Sequence, residues 1–173
     1  MNYWTGNKKT DKISFMNDIT LKWTKKRKVG LVMEMLSYTV DEINYVVDGK
    51  HVVLQPSEQE RSIAEILSKR YGKTVELVPK IMYPQGIQTP DFLIDDVRFD
   101  LKSPIGRSKA LLYNMVSKKK KQASNFIFDI TDCPLSDKEI RQQIETIYFS
   151  RHTRFIDKIV IMRNGEINKA YER

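Results

Sequence analysis

The stretch PDFLIDDVRFDLKSP, residues 90–104, reads as a β-hairpin that turns at Asp95-Asp96. In that register Ile94 faces Val97, Phe92 faces Phe99 and Asp91 faces Asp100. Strand side chains alternate, so Phe92, Ile94, Val97, Phe99 and Leu101 fall on one face. Asp91, Leu93, Arg98, Asp100 and Lys102 fall on the other. The first face is core, and the second is a charged cluster.

Opposed side chains of an antiparallel pair have Cβ atoms about 4.5–5.5 Å apart, and like charges there are destabilising. Two aspartates so placed invite a compensating cation. Magnesium or manganese fits, because such hard ions take oxygen ligands from one or two carboxylates plus water and phosphate. Lys102, two residues beyond Asp100, sets an ammonium beside them, where it would orient an attacking water or stabilise charge on a phosphate. An Asp-x-Lys tripeptide alone is common and reads equally as a solvated strand face. The weight comes from its company: Pro90-Asp91 opening one strand, Asp100-Leu101-Lys102 ending the next, carboxylates on the preceding helix and lysines on the following one.

That preceding helix starts at Ser57, which with Glu60 makes a capping box, and runs to about Tyr71, where Gly72 stops it. Glu60 shares a stripe with Ala64, Leu67 and Tyr71, so it is a candidate further ligand as well as the capping partner. Ser108 to Ala123 reads as the following helix, with Leu111, Leu112, Met115, Val116 and Ala123 inward. Lys119 and Gln122 fall on the same stripe, while Lys118, Lys120 and Lys121 point elsewhere. Arg98, Lys102, Arg107, Lys109 and Lys118 to Lys121 place eight cations between residues 97 and 125, against Asp100 alone. A basic surface of this kind suits phosphate contacts from Arg98, Arg107, Lys109, Lys118, Lys119, Lys120, Lys121 and Gln122.

Outward from this centre, Thr74 to Met82 reads as a strand and Asn125 to Thr131 as another, giving the order helix, three strands, helix, strand. Ser136 with Glu139 caps a helix to about Phe149, and Lys158–Met162 pairs with Ile167–Tyr171 across Asn164-Gly165. The expected fold is α/β, a central mixed sheet flanked by helices with a C-terminal helix and β-hairpin. Before it, INYVVDGKHVVL predicts a hairpin turning at Asp48-Gly49, and residues 1–40 read as an extension or small helical cap. This divides the chain into an N-terminal extension, 1–54, and a main domain, 55–173.

The chain has 173 residues, enough for one compact domain, and 30 Lys and Arg against 22 Asp and Glu give a formal charge of +8. That balance points toward a polyanionic partner. One cysteine, Cys133, and two histidines, His51 and His152, exclude an internal disulfide and a thiolate zinc cluster, and disfavour cysteine nucleophile chemistry. No apolar run is long enough to span a bilayer and no secretory leader is evident, so the expectation is a cytoplasmic protein without a membrane partner.

Pro90-Asp91, Asp100-Leu101-Lys102 and Glu60 together resemble the PD-(D/E)XK nuclease superfamily, over about residues 55 to 131. More narrowly, Glu60–Leu67, Pro90–Pro104, Gln122-Ala123 and the hairpin at Asn164-Gly165 look like the C-terminal tRNA nuclease domain of CdiA toxins of contact-dependent growth inhibition. Related domains also occur in phage-associated proteins. The resemblance implies a restriction-endonuclease-like core, divalent-metal-dependent cleavage of tRNA and a cognate immunity protein. It also implies Mg²⁺ or Mn²⁺ on Asp91, Asp100, the Leu101 carbonyl and Glu60, with Lys102 assisting water attack. Two other expectations stay open: a DNA endonuclease of a phage or mobile element, and a non-catalytic nucleic-acid-binding module.

Overall fold

A computed structural model of the chain describes residues 15–173. The first 14 residues of the expected extension lie outside the described residues. Eight strands form one mixed sheet, with β1 (Asn17–Asp18) and β2 (Leu31–Glu34) at its two edges. Its centre consists of β8 (Phe92–Ile94), β9 (Val97–Lys102), β10 (Asn125–Asp129) and β11 (Lys158–Arg163). The β8–β9 pair is antiparallel, whereas β10 runs parallel to both β9 and β11. On one side β12 (Glu166–Glu172) and β1 complete it, and on the other β6 (Thr74–Leu77) and β2.

Both faces of the sheet are covered, which explains why β10 reads as an unbroken apolar run. Helix α2 (Glu58–Tyr71) lays Ile63, Ala64 and Leu67 against Phe92, Ile94, Phe99, Ile127 and Val160. On the opposite face α3 (Leu111–Val116) and α4 (Asp137–Phe149) pack Leu112, Val116, Ile140, Ile144 and Ile147 against Phe126, Phe128, Ile159 and Ile161. Truncating such a buried ring to alanine costs about 3–5 kcal/mol, so Phe92, Phe99, Phe126 and Phe128 fix the sheet between its helices. Both expected capping boxes form: Ser57 Oγ accepts from Glu60 N–H and Ser136 Oγ from Glu139 N–H. Gly72 ends α2 at φ 65°, a left-handed conformation that suits glycine.

The chain before residue 55 is woven into this sheet through β1 and β2. The short helix α1 (Thr20–Thr24) buries Trp23, whose ring meets Phe99 edge-on at 5.4 Å and carries the Lys73 ammonium 4.4 Å from its centroid. Gly30 passes so close to the end of α2 that a Cβ there would lie 2.3 Å from Ser68 O.

Three local expectations are corrected. The hairpin expected at Asp48-Gly49 does not form. Strands β3 (Ser37–Val40) and β4 (Ile43–Val46) turn at Asp41-Glu42 instead, and β5 (Val52–Val53) pairs with β7 (Lys80–Ile81). The strand expected over 74–82 is broken at Val78-Pro79 into β6 and β7, since proline has no N–H for a ladder. The helix expected over 108–123 is only Leu111–Val116, and residues 119–122 close a separate turn in which Gln122 and Ala123 N–H donate to Lys119 O. Among the described residues no helix is long and apolar enough to cross a membrane.

Candidate active site

The expected register of the central hairpin is the one found: Phe92 faces Phe99, Leu93 faces Arg98 and Ile94 faces Val97. Asp95 and Asp96, at φ 47° and 67°, make the two left-handed turn residues that match the twist of a tight hairpin. Asp95 is tied down as well, its Oδ1 accepting from Lys28 Nζ (2.7 Å) and Thr74 N–H (3.1 Å). Continuing the register beyond Phe92 and Phe99 brings Asp91 opposite Asp100, on the α3 face of the sheet.

Asp91 Oδ2 accepts from Leu101 N–H at 2.8 Å, which aims the carboxyl at β9. Burial raises the Asp91 pKa, and the neighbouring Asp100 carboxyl adds to the effect, bringing it to about 6. Asp100 is fully buried, 0% exposed. Its Oδ1 accepts from Gln122 Nε2 at 2.6 Å. Its Oδ2 makes an ion contact with Lys102 Nζ but has no partner in hydrogen-bond geometry. A buried carboxylate oxygen left in this state, with a second carboxyl held near it, is a place where a cation would be stabilised.

Behind this pair stands Arg98, one of the residues expected at a nucleic-acid surface. Its Nη2 donates to Lys121 O (2.9 Å) and Gln122 O (2.7 Å). The guanidinium therefore holds the 119–122 turn that delivers the Gln122 amide to Asp100. The other expected phosphate contacts divide into two hollows. Lys120 and Lys121 line one with Tyr38 and Arg98, whereas Arg107 and Lys109 line another with Glu139 and Gln142 of α4. Lys118 is exposed and Lys119 is half-buried in the turn.

Glu60 is held at the start of α2, with Oε2 accepting from Ser57 N–H (2.7 Å) and Oε1 3.7 Å from Lys80 Nζ. Among the described residues no three His, Cys, Asp or Glu side chains converge as a metal cage. The site that Asp91 and Asp100 offer is thus a two-carboxylate one, with oxygen donors only. Such a set fits a hard divalent cation that draws its remaining ligands from backbone carbonyl, water and substrate.

Sequence reasoning missed one part of the surroundings. Gln59, next to Glu60, donates from Nε2 to Ser103 Oγ (2.7 Å) and Asp129 Oδ2 (2.9 Å), tying the start of α2 to the ends of β9 and β10 just beyond Lys102. The capping box announced a helix start here, but nothing in the sequence links residue 59 to residue 129.

Comparison with known proteins adds a family likeness over the same region. The family described as the contact-dependent growth inhibition CdiA C-terminal domain matches residues 88–167, which include Asp91, Asp100, Lys102 and Gln122. No curated protein matches the chain. Among solved structures, a chain from the "CdiA-CT/CdiI toxin and immunity complex from Burkholderia pseudomallei" is similar at 18% identity, over 80% of this chain and 97% of that one, with a TM-score of 0.45.

Proposed function

We propose that this protein is a toxin-type nuclease of contact-dependent inhibition that hydrolyses phosphodiester bonds in RNA, with tRNA as its substrate. The observation that carries the reading is the buried Asp100 carboxylate, opposed by Asp91 across a tight hairpin and touched by Lys102. The match of residues 88–167 to the CdiA C-terminal domain supports it.

In this reading Asp91, Asp100 and the Leu101 carbonyl would hold Mg²⁺ or Mn²⁺ in a PD-(D/E)XK arrangement, while Glu60 stays with its helix cap and Lys80 and is not a ligand. When bound, the ion supplies Lewis-acid polarisation of the scissile phosphate and lowers the pKa of coordinated water. The protein's own groups do the rest. Lys102, anchored against Asp100, presents its ammonium to the water or to the charge that develops on phosphate. The Gln122 amide fixes the Asp100 rotamer, so one oxygen stays turned toward the site. The basic residues between 98 and 121 supply the counter-charge that brings the backbone of a polyanion across it. A cell that makes such a nuclease needs a protein that neutralises it, hence a cognate immunity partner.

The test is cleavage of total tRNA and of plasmid DNA side by side, with and without EDTA. Asp100→Asn and Lys102→Met preserve shape, and each is expected to lower the rate at least about a hundredfold, the scale of losing a transition-state contact. Unchanged cleavage in both variants rejects the assignment. Faster digestion of plasmid than of tRNA moves the substrate to DNA, and no calorimetric Mg²⁺ or Mn²⁺ binding by the folded protein points to a non-catalytic module.

A further inference from the structure

Next to the carboxylate pair, between the β3–β4 hairpin and residues 86–88, lies a hollow of about 410 Å³. Tyr38, Gln88, Arg98, Lys120 and Lys121 line it. Its volume is within the range of small-ligand sites, about 300–1,000 Å³.

The chemistry of the lining is selective. Arg98 donates through Nη2 to the carbonyls of Lys121 and Gln122 and its Nε is buried, so the exposed cations of the lining are Lys120 and Lys121. Both are exposed, and among the described residues neither ammonium has an ion-pair partner. Asp41 is the acidic residue on the rim. Tyr38 is half-buried, and among the described residues its ring pairs with no other aromatic. An aromatic side chain without a ring partner and two unpaired ammonium groups around one hollow are what a stacked base and its phosphates require. Position adds to this. Arg98 and Asp100 are alternate residues of β9, about 7 Å apart along the strand, and Lys121 immediately precedes the Gln122 that bonds Asp100. A strand whose phosphate reaches the carboxylates therefore carries its neighbouring nucleotide over the hollow.

We propose that this hollow is a subsite for one unstacked nucleotide of a single-stranded segment, with its base on the Tyr38 ring and its flanking phosphates on Lys120 and Lys121. The subsite rests on the nuclease reading for its substrate class, but its function is binding and does not need the chemistry to occur. Single-stranded RNA and single-stranded DNA share the base and phosphates it takes, and duplex does not offer an unstacked base.

The experiment is fluorescence anisotropy in EDTA with three labelled probes of one sequence: a single-stranded RNA 12-mer, the same strand as DNA, and the RNA annealed to its complement. Tyr38→Ala is expected to weaken single-strand binding about fivefold or more, while Tyr38→Phe, which keeps the ring, stays within about twofold of wild type. Lys120→Ala with Lys121→Ala, both on the surface, should lower the slope of log K against log salt by about 1.4, the value for two single-strand phosphates. Loss on either single strand supports the subsite. Unchanged affinity in Tyr38→Ala together with an unchanged salt slope overturns it, as does duplex binding that is as tight and as sensitive to Tyr38→Ala. Failure of the nuclease reading is a separate result, since it appears as cleavage that survives Asp100→Asn.

Discussion

At Asp95-Asp96 the chain reverses between β8 and β9, whereas at Asp48-Gly49, the stronger turn dipeptide, it does not join two paired strands. The difference lies in what the flanking residues bury. Phe92, Ile94 and Phe99 enter the core under α2 and lock one register. Near the other turn Ile43 and Val46 remain 55% and 60% exposed, so no face selects their partner. Asp48 instead closes a small loop, its Oδ1 accepting from the N–H groups of Lys50, His51 and Val52 at 2.7–2.9 Å. A turn dipeptide permits a reversal, but burial of one face decides which strands meet.

The largest consequence of that contrast is electrostatic. The locked β8–β9 hairpin holds Asp91 beside Asp100, and the exposed β3–β4 hairpin brings no such pair together. Asp91 has a folded pKa of about 6, above the ordinary aspartate value of 3.8, so between these the folded state keeps a proton that the unfolded chain has released. Its stabilising contribution is complete below about pH 4 and is lost as pH rises through about 6. In EDTA the urea midpoint of wild type, relative to Asp91→Asn, is therefore expected to fall between pH 4 and pH 7. Using the difference removes groups of opposite sign such as Asp18, which Thr20 holds down to about 2. A flat difference would mean that folding neither buries the Asp91 carboxyl nor sets it beside Asp100.

A smaller effect separates the polar contacts of the two hairpins. Gln122→Leu leaves the buried Asp100 Oδ1 without its donor and should cost about 1–3 kcal/mol of stability, with cleavage reduced about tenfold because the Asp100 rotamer is no longer fixed. The comparable contact on the exposed hairpin is Thr39 Oγ1 to Asn44 Oδ1 at 3.3 Å. There Asn44→Ala should stay within about 0.5 kcal/mol. Thermal melts of the two variants side by side check both values.

Local rules made the legible parts of this molecule legible. The two capping boxes, the Asn164-Gly165 hairpin and the register of Asp91 opposite Asp100 each depend on residues within about ten positions of one another. The order helix, three strands, helix, strand followed from periodicity and recurs in the main sheet and its helices as α2, β6, β8, β9, α3, β10, with β7 split off to pair with β5. What could not be read depends on distant partners. Gln59 meets Asp129, Arg98 meets the Gln122 carbonyl, and β2 joins the sheet beside β6. The lysine run misled in a related way. Continued helical periodicity placed Lys119 and Gln122 on one stripe, but the helix stops at Val116, and it is the Arg98 fork that orients Gln122. Glu60 stays at its helix cap with Lys80 beside it, as the capping box by itself requires.

The finest distinction concerns how far each hairpin shares in global unfolding. Asp96 and Glu42 occupy equivalent turn positions, at φ 67° and 66°. Glycine relieves the left-handed strain at either, by about 0.5 kcal/mol for aspartate, which tolerates that region, and about 1 kcal/mol for glutamate, which does so less. Stability gained in a segment that opens by itself does not reach the global transition. Asp96→Gly, in a hairpin buried on the core, should therefore raise the urea midpoint, although its intrinsic gain is the smaller. Glu42→Gly should slow amide exchange at Val40 and Ile43 and leave the midpoint in place. A midpoint that rises more in Glu42→Gly than in Asp96→Gly would show that β3 and β4 unfold together with the main sheet, and that the exposed hairpin is held by more than its own ladder.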